Sequence, residues 1–216
     1  MPGLRTYGES CSVSHALDLV GERWALLVVR ELVYGPKRFT DLRRGLRNAS
    51  PNVLSQRLRQ LEAMGVLRHR RLGPPVGTWA YELTDWGRGL EPVLLDLSRW
   101  GDRSPLRPAS SATASPDSLM LAVRGRYRPP AGPSPETVYQ VRLGDDAFDV
   151  RVTGGDVAVR RGESAHPDAE VDVDAATFGD LVYGRETAAA ATAAGRLQIR
   201  GDEAAVARLL TSLTGA

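Results

Sequence analysis

At 216 residues, 42% hydrophobic and 25% charged, the chain can build two modest cores in water. It shows no apolar run near the roughly 20 residues of a membrane span and no signal-peptide pattern, so a cytoplasmic protein without membrane contact is expected. The net charge of +2 hides an asymmetry: residues 1–107 carry 17 Arg and Lys against 11 Asp and Glu, whereas the remainder carries 11 against 15.

Apolar residues at Val13, Leu17, Val20, Trp24, Leu27, Val28 and Leu32 keep helical spacing and are interrupted by Gly21, which predicts two helices before Gly35 and Pro36. Thr40 is expected to cap a third helix through Arg47, with Phe39, Leu42 and Leu46 turned inward. In 49–65, ASPNVLSQRLRQLEAMG, Ser50 is a good N-cap, Pro51 suits the first helical position and Gly65 ends the helix. Leu54, Leu58 and Leu61 fall in one stripe at about 100° per residue, and Asn52, Gln56 and Arg59 lie opposite it with Ser55 on its flank. Arg57 falls closer to the stripe. Such an outer face is solvated by default, but short or planar hydrogen-bonding side chains near a helix N-terminus also suit base edges in a major groove.

Ten cations over 36–71 are opposed only by Asp41 and Glu62, an electrostatic footprint suited to nucleic acid. Residues 66–84 read as a hairpin with a Gly-Pro-Pro-Val-Gly tip, and Arg68, His69, Arg70 and Arg71 load one arm with donors. A helix from Thr84 and Asp85 to Gly101 carries Trp86, Leu90, Val93, Leu94, Leu97 and Trp100, with a bend expected at Pro92. That stripe packs either within the domain or on a partner helix, and its size favours the partner.

Residues 11–101 resemble the HxlR family of winged helix-turn-helix transcriptional regulators, relatives of the MarR group. The carrying residues are Gly21, Arg23 and Trp24 in GERW, then Arg30, Glu31 and Leu32 before Gly35 and Pro36, and Arg38, Phe39, Asp41 and Leu42. SPNVLSQRLRQLEAMGVL at 50–67 is the most specific run, followed by YELTDWG at 81–87. The resemblance implies a homodimer on inverted-repeat double-stranded DNA, with the first and last helices of the domain at its interface. Val13, Leu17, Trp86, Leu90, Val93, Leu94, Leu97 and Trp100 are the candidate interface residues. Ser50, Asn52, Ser55, Gln56 and Arg59 are candidate contacts to bases or adjacent phosphates, and Lys37, Arg38, Arg47, Arg70 and Arg71 to the backbone. A repressor is expected.

Cys11 is the single cysteine, so neither an intrachain disulfide nor a cysteine cluster for zinc can form. It stands at a position that senses oxidants or electrophiles in some relatives, although Ser12 replaces the family's usual proline. It is a candidate redox thiol or an inert one at a helix start.

The Pro, Ser and Ala-rich run 104–116 reads as a linker. Beyond it, Ser115 and Pro116 open a helix to Tyr127. TVYQVRL, AFDVRVT, DVAVRR and AEVDVDA alternate as an antiparallel meander, 177–183 and 186–194 are helical, 196–200 is a strand, and Asp202 caps a final helix through Leu213. AEVDVDA, the helix holding Phe178, Leu181 and Gly184, and GRLQIRGD at 195–202 resemble the sterol carrier protein type 2 fold. The resemblance implies an apolar tunnel and a small apolar ligand, or a purely structural domain. Phe178, Leu181, Tyr183 and Leu210 are candidate pocket walls or ordinary core.

The expected fold class is therefore α+β. A winged helix-turn-helix DNA-binding and dimerisation domain over 1–103 and a linker over 104–116 precede a sterol-carrier-like domain with an antiparallel sheet over 117–216. No GxSxG, Walker or HExxH motif is present, and Glu163, His166 and Asp168 share a polar loop at spacings that match no metal motif. Neither enzymatic activity, nor a cofactor, nor a metal is expected.

Overall fold

The computed structural model describes residues 6–73, 77–105, 114–130, 132 and 135–214. The chain divides into two compact units, Met1–Leu94 and Leu95–Ala216.

Unit 1 contains α1 (Ser12–Val20), α2 (Ala25–Leu32), α3 (Phe39–Gly45), α4 (Pro51–Ala63), the hairpin β1 (Leu67–Arg71) and β2 (Trp79–Leu83), and the short α5 (Asp85–Arg88). Its core is built at helical and strand periodicity. Val28, Val29 and Leu32 of α2, Leu42 of α3, Leu54, Leu58 and Leu61 of α4, and Leu67 and Leu83 of the hairpin are all buried. Each such side chain contributes about 1.5–3 kcal/mol of hydrophobic stabilisation.

Helix α4 begins as its sequence dictates. The Ser50 hydroxyl accepts from the Val53 N–H and Pro51 occupies the first position. It ends in a Schellman motif, with Val66 N–H on the Leu61 carbonyl and Gly65 N–H on that of Glu62. Gly65 has φ +73°, a left-handed conformation that glycine adopts without penalty. Helix α3 starts at Phe39, so Thr40 is its second residue and not its cap. Asp41 instead accepts from the backbone N–H of Arg38.

The long helix expected from Thr84 to Gly101 is two helices. After α5 the chain turns at Gly89 and Leu90 and restarts as α6 (Glu91–Asp102), which begins in unit 1 and continues in unit 2. Pro92 therefore sits in the first turn of a new helix, where its missing N–H costs nothing, and the bend becomes a break.

Unit 2 adds α7 (Pro116–Arg126), β3 (Thr137–Leu143), β4 (Asp146–Thr153), β5 (Asp156–Arg161), β6 (Ala169–Val173), α8 (Ala175–Val182), α9 (Ala188–Ala193), β7 (Leu197–Gly201) and α10 (Glu203–Thr214). The strand order is β5-β4-β3-β6-β7. The β3-β4-β5 meander and the β6–β7 pair are antiparallel, but β6 lies parallel to β3, so the sheet is mixed rather than antiparallel throughout.

The crossing is possible because the strands are staggered. Arg161 ends β5 level with Phe148 and Val141, and Ala169 starts β6 opposite Tyr139, so residues 162–168 cross the sheet mainly sideways. Three strand spacings are about 14 Å, within reach of seven residues. Gln140 lies beneath this crossing and is buried for that reason. Its Oε1 accepts from Ser164 N–H at 2.5 Å and its Nε2 donates to the Gly162 carbonyl at 3.4 Å. The same loop fixes Asp168, whose carboxylate accepts from Val138 N–H, and Glu163, which pairs with Arg142.

Candidate nucleic-acid interface

The local sequence of α4 separates its two faces. Leu54, Leu58 and Leu61 are buried, while Asn52, Gln56 and Arg59 are exposed and Ser55 is half-buried. Arg57 is only 8% exposed, in agreement with its angular position near the leucine stripe. Its guanidinium turns inward, donating to Gln60 at 2.5 Å and Glu22 at 3.3 Å.

Glu31 anchors α2 against α3 and the link before it. This carboxylate has no exposed surface, and it takes Arg30 at 2.8 Å and Lys37 at 2.9 Å. Gly45 sits close beside it: a Cβ there would lie 2.2 Å from Glu31 Oε2 and force the carboxylate to shift. The backbone of Lys37 meanwhile pairs with Tyr81 of β2 in both directions, at 2.9 and 2.8 Å, which ties the link to the hairpin. Lys37 is thus held from both ends, and one ammonium donor is committed to Glu31.

In the hairpin, Glu82 accepts from Arg68 at 2.5 Å and Arg70 at 2.7 Å. The Arg70 hydrogen bond holds the Glu82 carboxyl below its ordinary value against the opposing effect of burial, and Arg68 adds to this. On the other face, His69 stacks on Tyr81 with centroids 4.3 Å apart and leans on Trp79 at 4.9 Å. Residues 74–76 of the expected hairpin tip lie outside the described residues.

Arg38 is paired with Asp41 at 2.9 Å. Burial pushes the Asp41 carboxyl up, but the hydrogen bonds and charge of Arg38 outweigh it and the net shift is downward. Among the described residues, the side chains of Arg47 and Arg71 hydrogen-bond to carbonyls, Arg44 O and Gly77 O respectively. Among the described residues Arg43, Arg44, Arg47, Arg59 and Arg71 are exposed and have no ion-pair partner. Arg43 and Arg44 were not singled out from sequence, although the run RRGLR already held the signal.

Of the candidate interface residues, Val13, Leu17, Trp86, Val93, Leu97 and Trp100 are exposed, Trp100 at 71%. Leu90 is half-buried and Leu94 is buried by its own chain. In unit 2, Phe178 and Leu181 are buried and the ring of Tyr183 has Arg126 at 5.1 Å and Arg185 at 4.9 Å, while Leu210 is half-buried. Phe178 and Leu181 thus belong to the core, whereas Tyr183 and Leu210 are only partly covered. Glu163, His166 and Asp168 do not converge, and no metal-holding cluster exists among the described residues.

A helix, a turn, a second helix with an exposed polar face, and a two-stranded wing loaded with arginine define a winged helix-turn-helix DNA-binding protein. The chain belongs to the HxlR-like helix-turn-helix family, whose model matches residues 19–107. The SCP-2 sterol transfer family model matches residues 128–213. Over 85 residues the chain is 38% identical to the HTH-type transcriptional regulator YvaP of Bacillus subtilis, covering 39% of this chain and 79% of that protein. It is 41% identical over 100 residues to the HTH-type transcriptional regulator MT3179 of Mycobacterium tuberculosis, covering 46% of this chain and 63% of that protein. Among solved structures, the reduced form of the transcriptional regulator YodB from B. subtilis is 28% identical, covers 45% of this chain and 97% of its own, and has a TM-score of 0.40. The protein is a transcriptional regulator of the HxlR type.

Proposed function

We propose that the protein is a dimeric, sequence-specific repressor that inserts α4 of each protomer into successive major grooves of an inverted repeat. The observation that carries this reading is the division of α4, with three leucines buried on one side and Asn52, Gln56 and Arg59 exposed on the other. Ser50, Asn52, Ser55, Gln56 and Arg59 contact bases or neighbouring phosphates, and Arg38, Arg47, Arg70 and Arg71 hold the backbone. Arg43 and Arg44 join the backbone set, while Lys37, whose ammonium pairs with Glu31, fixes the link before α3. The exposed apolar side chains of α1, of Trp86 and of α6 pair the protomers, with Leu90 at the margin and Leu94 supporting them from within. Residues 1–103 supply DNA binding and dimerisation, 104–116 the linker and 117–216 the sterol-carrier-like domain, all in the cytoplasm.

Gln56→Ala tests the reader directly. A bidentate base contact is worth about 1–3 kcal/mol of discrimination, so affinity for the operator falls while affinity for random DNA is retained. Equal losses on both would remove Gln56 as a reader.

For unit 2 the burial of Phe178 and Leu181 favours a structural role over a ligand tunnel. Native mass spectrometry should find the purified protein free of lipid. A stoichiometric copurified lipid would restore the ligand reading.

Cys11 supports a second reading, thiol control. It is exposed at the start of α1, and the backbone N–H groups of Ser14 and Val13, followed by the Ser14 side chain, lower its pKa. A lowered pKa enriches the reactive thiolate. Diamide should weaken operator binding by wild type and leave Cys11→Ser unaffected; an unchanged wild type excludes this reading.

A further inference from the structure

A cleft of about 390 Å³ opens in unit 1 between α1, the turn at 21–23 and a stripe of α4 different from its outer face. Arg57, Gln60 and Met64 of α4 line one wall, while Tyr7, Leu17 and Glu22 stand among the residues opposite. Its volume falls within the range of small-molecule sites. An apolar body finds Met64 and the Tyr7 ring there, and the decisive polar group is Arg57.

The guanidinium of Arg57 is incompletely used. Nη1 donates to Gln60 Oε1 at 2.5 Å, and Nη2 reaches one oxygen of Glu22 at 3.3 Å, the long end of a hydrogen bond. Nε, buried and pointing along the same edge of the planar group as Nη2, has no hydrogen-bond partner among the described residues. Nε and Nη2 together form the side-on fork that matches the two oxygens of a carboxylate. Glu22 therefore occupies half of a bidentate site, and poorly. Its side chain is 48% exposed, so it can swing into water without being stranded. An unpartnered buried donor is costly, and a second carboxylate placed on the fork would satisfy both donors at once.

We propose that this cleft binds a small apolar monocarboxylate, whose carboxylate displaces Glu22 from the Nε and Nη2 edge of Arg57 and whose body lies against Tyr7 and Met64. The ligand would replace the direct tie between α4 and the 21–23 turn, and so act on the helix that reads DNA. That last step rests on the proposed role of α4; the binding itself does not.

Benzoate is the probe and benzamide its uncharged counterpart, added to full-length protein labelled at the methionine methyls. The three methionines include Met64 in the cleft and the buried Met120 of unit 2 as an internal reference. Benzoate should shift the Met64 resonance saturably and leave Met120 unmoved, and benzamide should do neither. Glu22→Gln removes the competing carboxylate and should tighten benzoate severalfold. Arg57→Lys keeps the charge but loses the fork and should weaken it about tenfold. If Arg57→Lys fails to fold, the opposite-signed effect of Glu22→Gln carries the test. No shift at Met64, an equal response to benzamide, a response at Met120 alone, or unchanged or weaker binding in Glu22→Gln would overturn the site. Operator affinity should change with the same benzoate midpoint. An unmoved affinity alongside a saturating Met64 shift would overturn the regulatory step alone.

Discussion

In unit 2, Arg142 bridges Glu163 and Glu170, Arg161 joins buried Asp117 to Asp146, Arg126 reaches Asp102 and Arg196 holds Glu186. In unit 1, Arg43, Arg44, Arg47, Arg59 and Arg71 have no ion-pair partner among the described residues, and the large side chains of Val13, Leu17 and Trp86 are exposed. Fixed internal partners make many of unit 2's charges part of its own structure. Unpaired guanidiniums and exposed apolar rows leave unit 1 with surface to be completed by other molecules, phosphates for the cations and a second protomer for the apolar rows. The contrast divides the expected consequences of mutation: unit 2 should answer in stability and unit 1 in binding.

The largest effect should come from Asp117→Ala. It removes a 1%-exposed carboxylate from Arg161 at 2.6 Å, and breaking a buried pair from one side costs about 3 kcal/mol. Urea unfolding should move accordingly while the operator affinity of the folded fraction stays put; a loss of DNA binding without a loss of stability would blur the division. Next in size, Val93→Asp on the exposed face of α6 should shift the dimer toward monomer by about 2 kcal/mol, as removing a central interface side chain does. Sedimentation that finds the variant as dimeric as wild type would place the interface elsewhere.

Arg47→Ala is a smaller change. It should weaken operator and random DNA alike and reduce the salt slope by about 1. The smallest concerns Glu82. Because its carboxyl is held below the ordinary value near 4.5, its contribution is present above that pH and is lost as pH falls through its lower folded value. With Arg68 and Arg70 both about half exposed, the loss should stay below about 1 kcal/mol, and Glu82→Gln should not show it.

Local signals carried much of the fold. Ser50, Pro51 and Gly65 bound α4, and the leucine spacing orients it, so the place of Arg57 beside the leucine stripe is legible in the sequence. What escaped were features set by distant partners. The alternation of AEVDVDA is the same in a parallel or an antiparallel strand, so β6 beside β3 was hidden until the stagger of β5 and the role of Gln140 were known. Likewise Lys37 reads as a free cation along the chain, and only the approach of α2 commits it to Glu31. Pro92 reads as a bend because sequence cannot distinguish a proline inside a helix from one that begins the next. The half-used fork of Arg57 was equally invisible, since it depends on where Glu22 ends up.

Selection of bound sequences from random DNA with the purified full-length protein tests the central claim most directly. The account predicts an enriched inverted repeat whose half-sites are centred one helical turn, or a multiple of it, apart. An enriched site without two-fold symmetry, or no enrichment over random DNA, would contradict it.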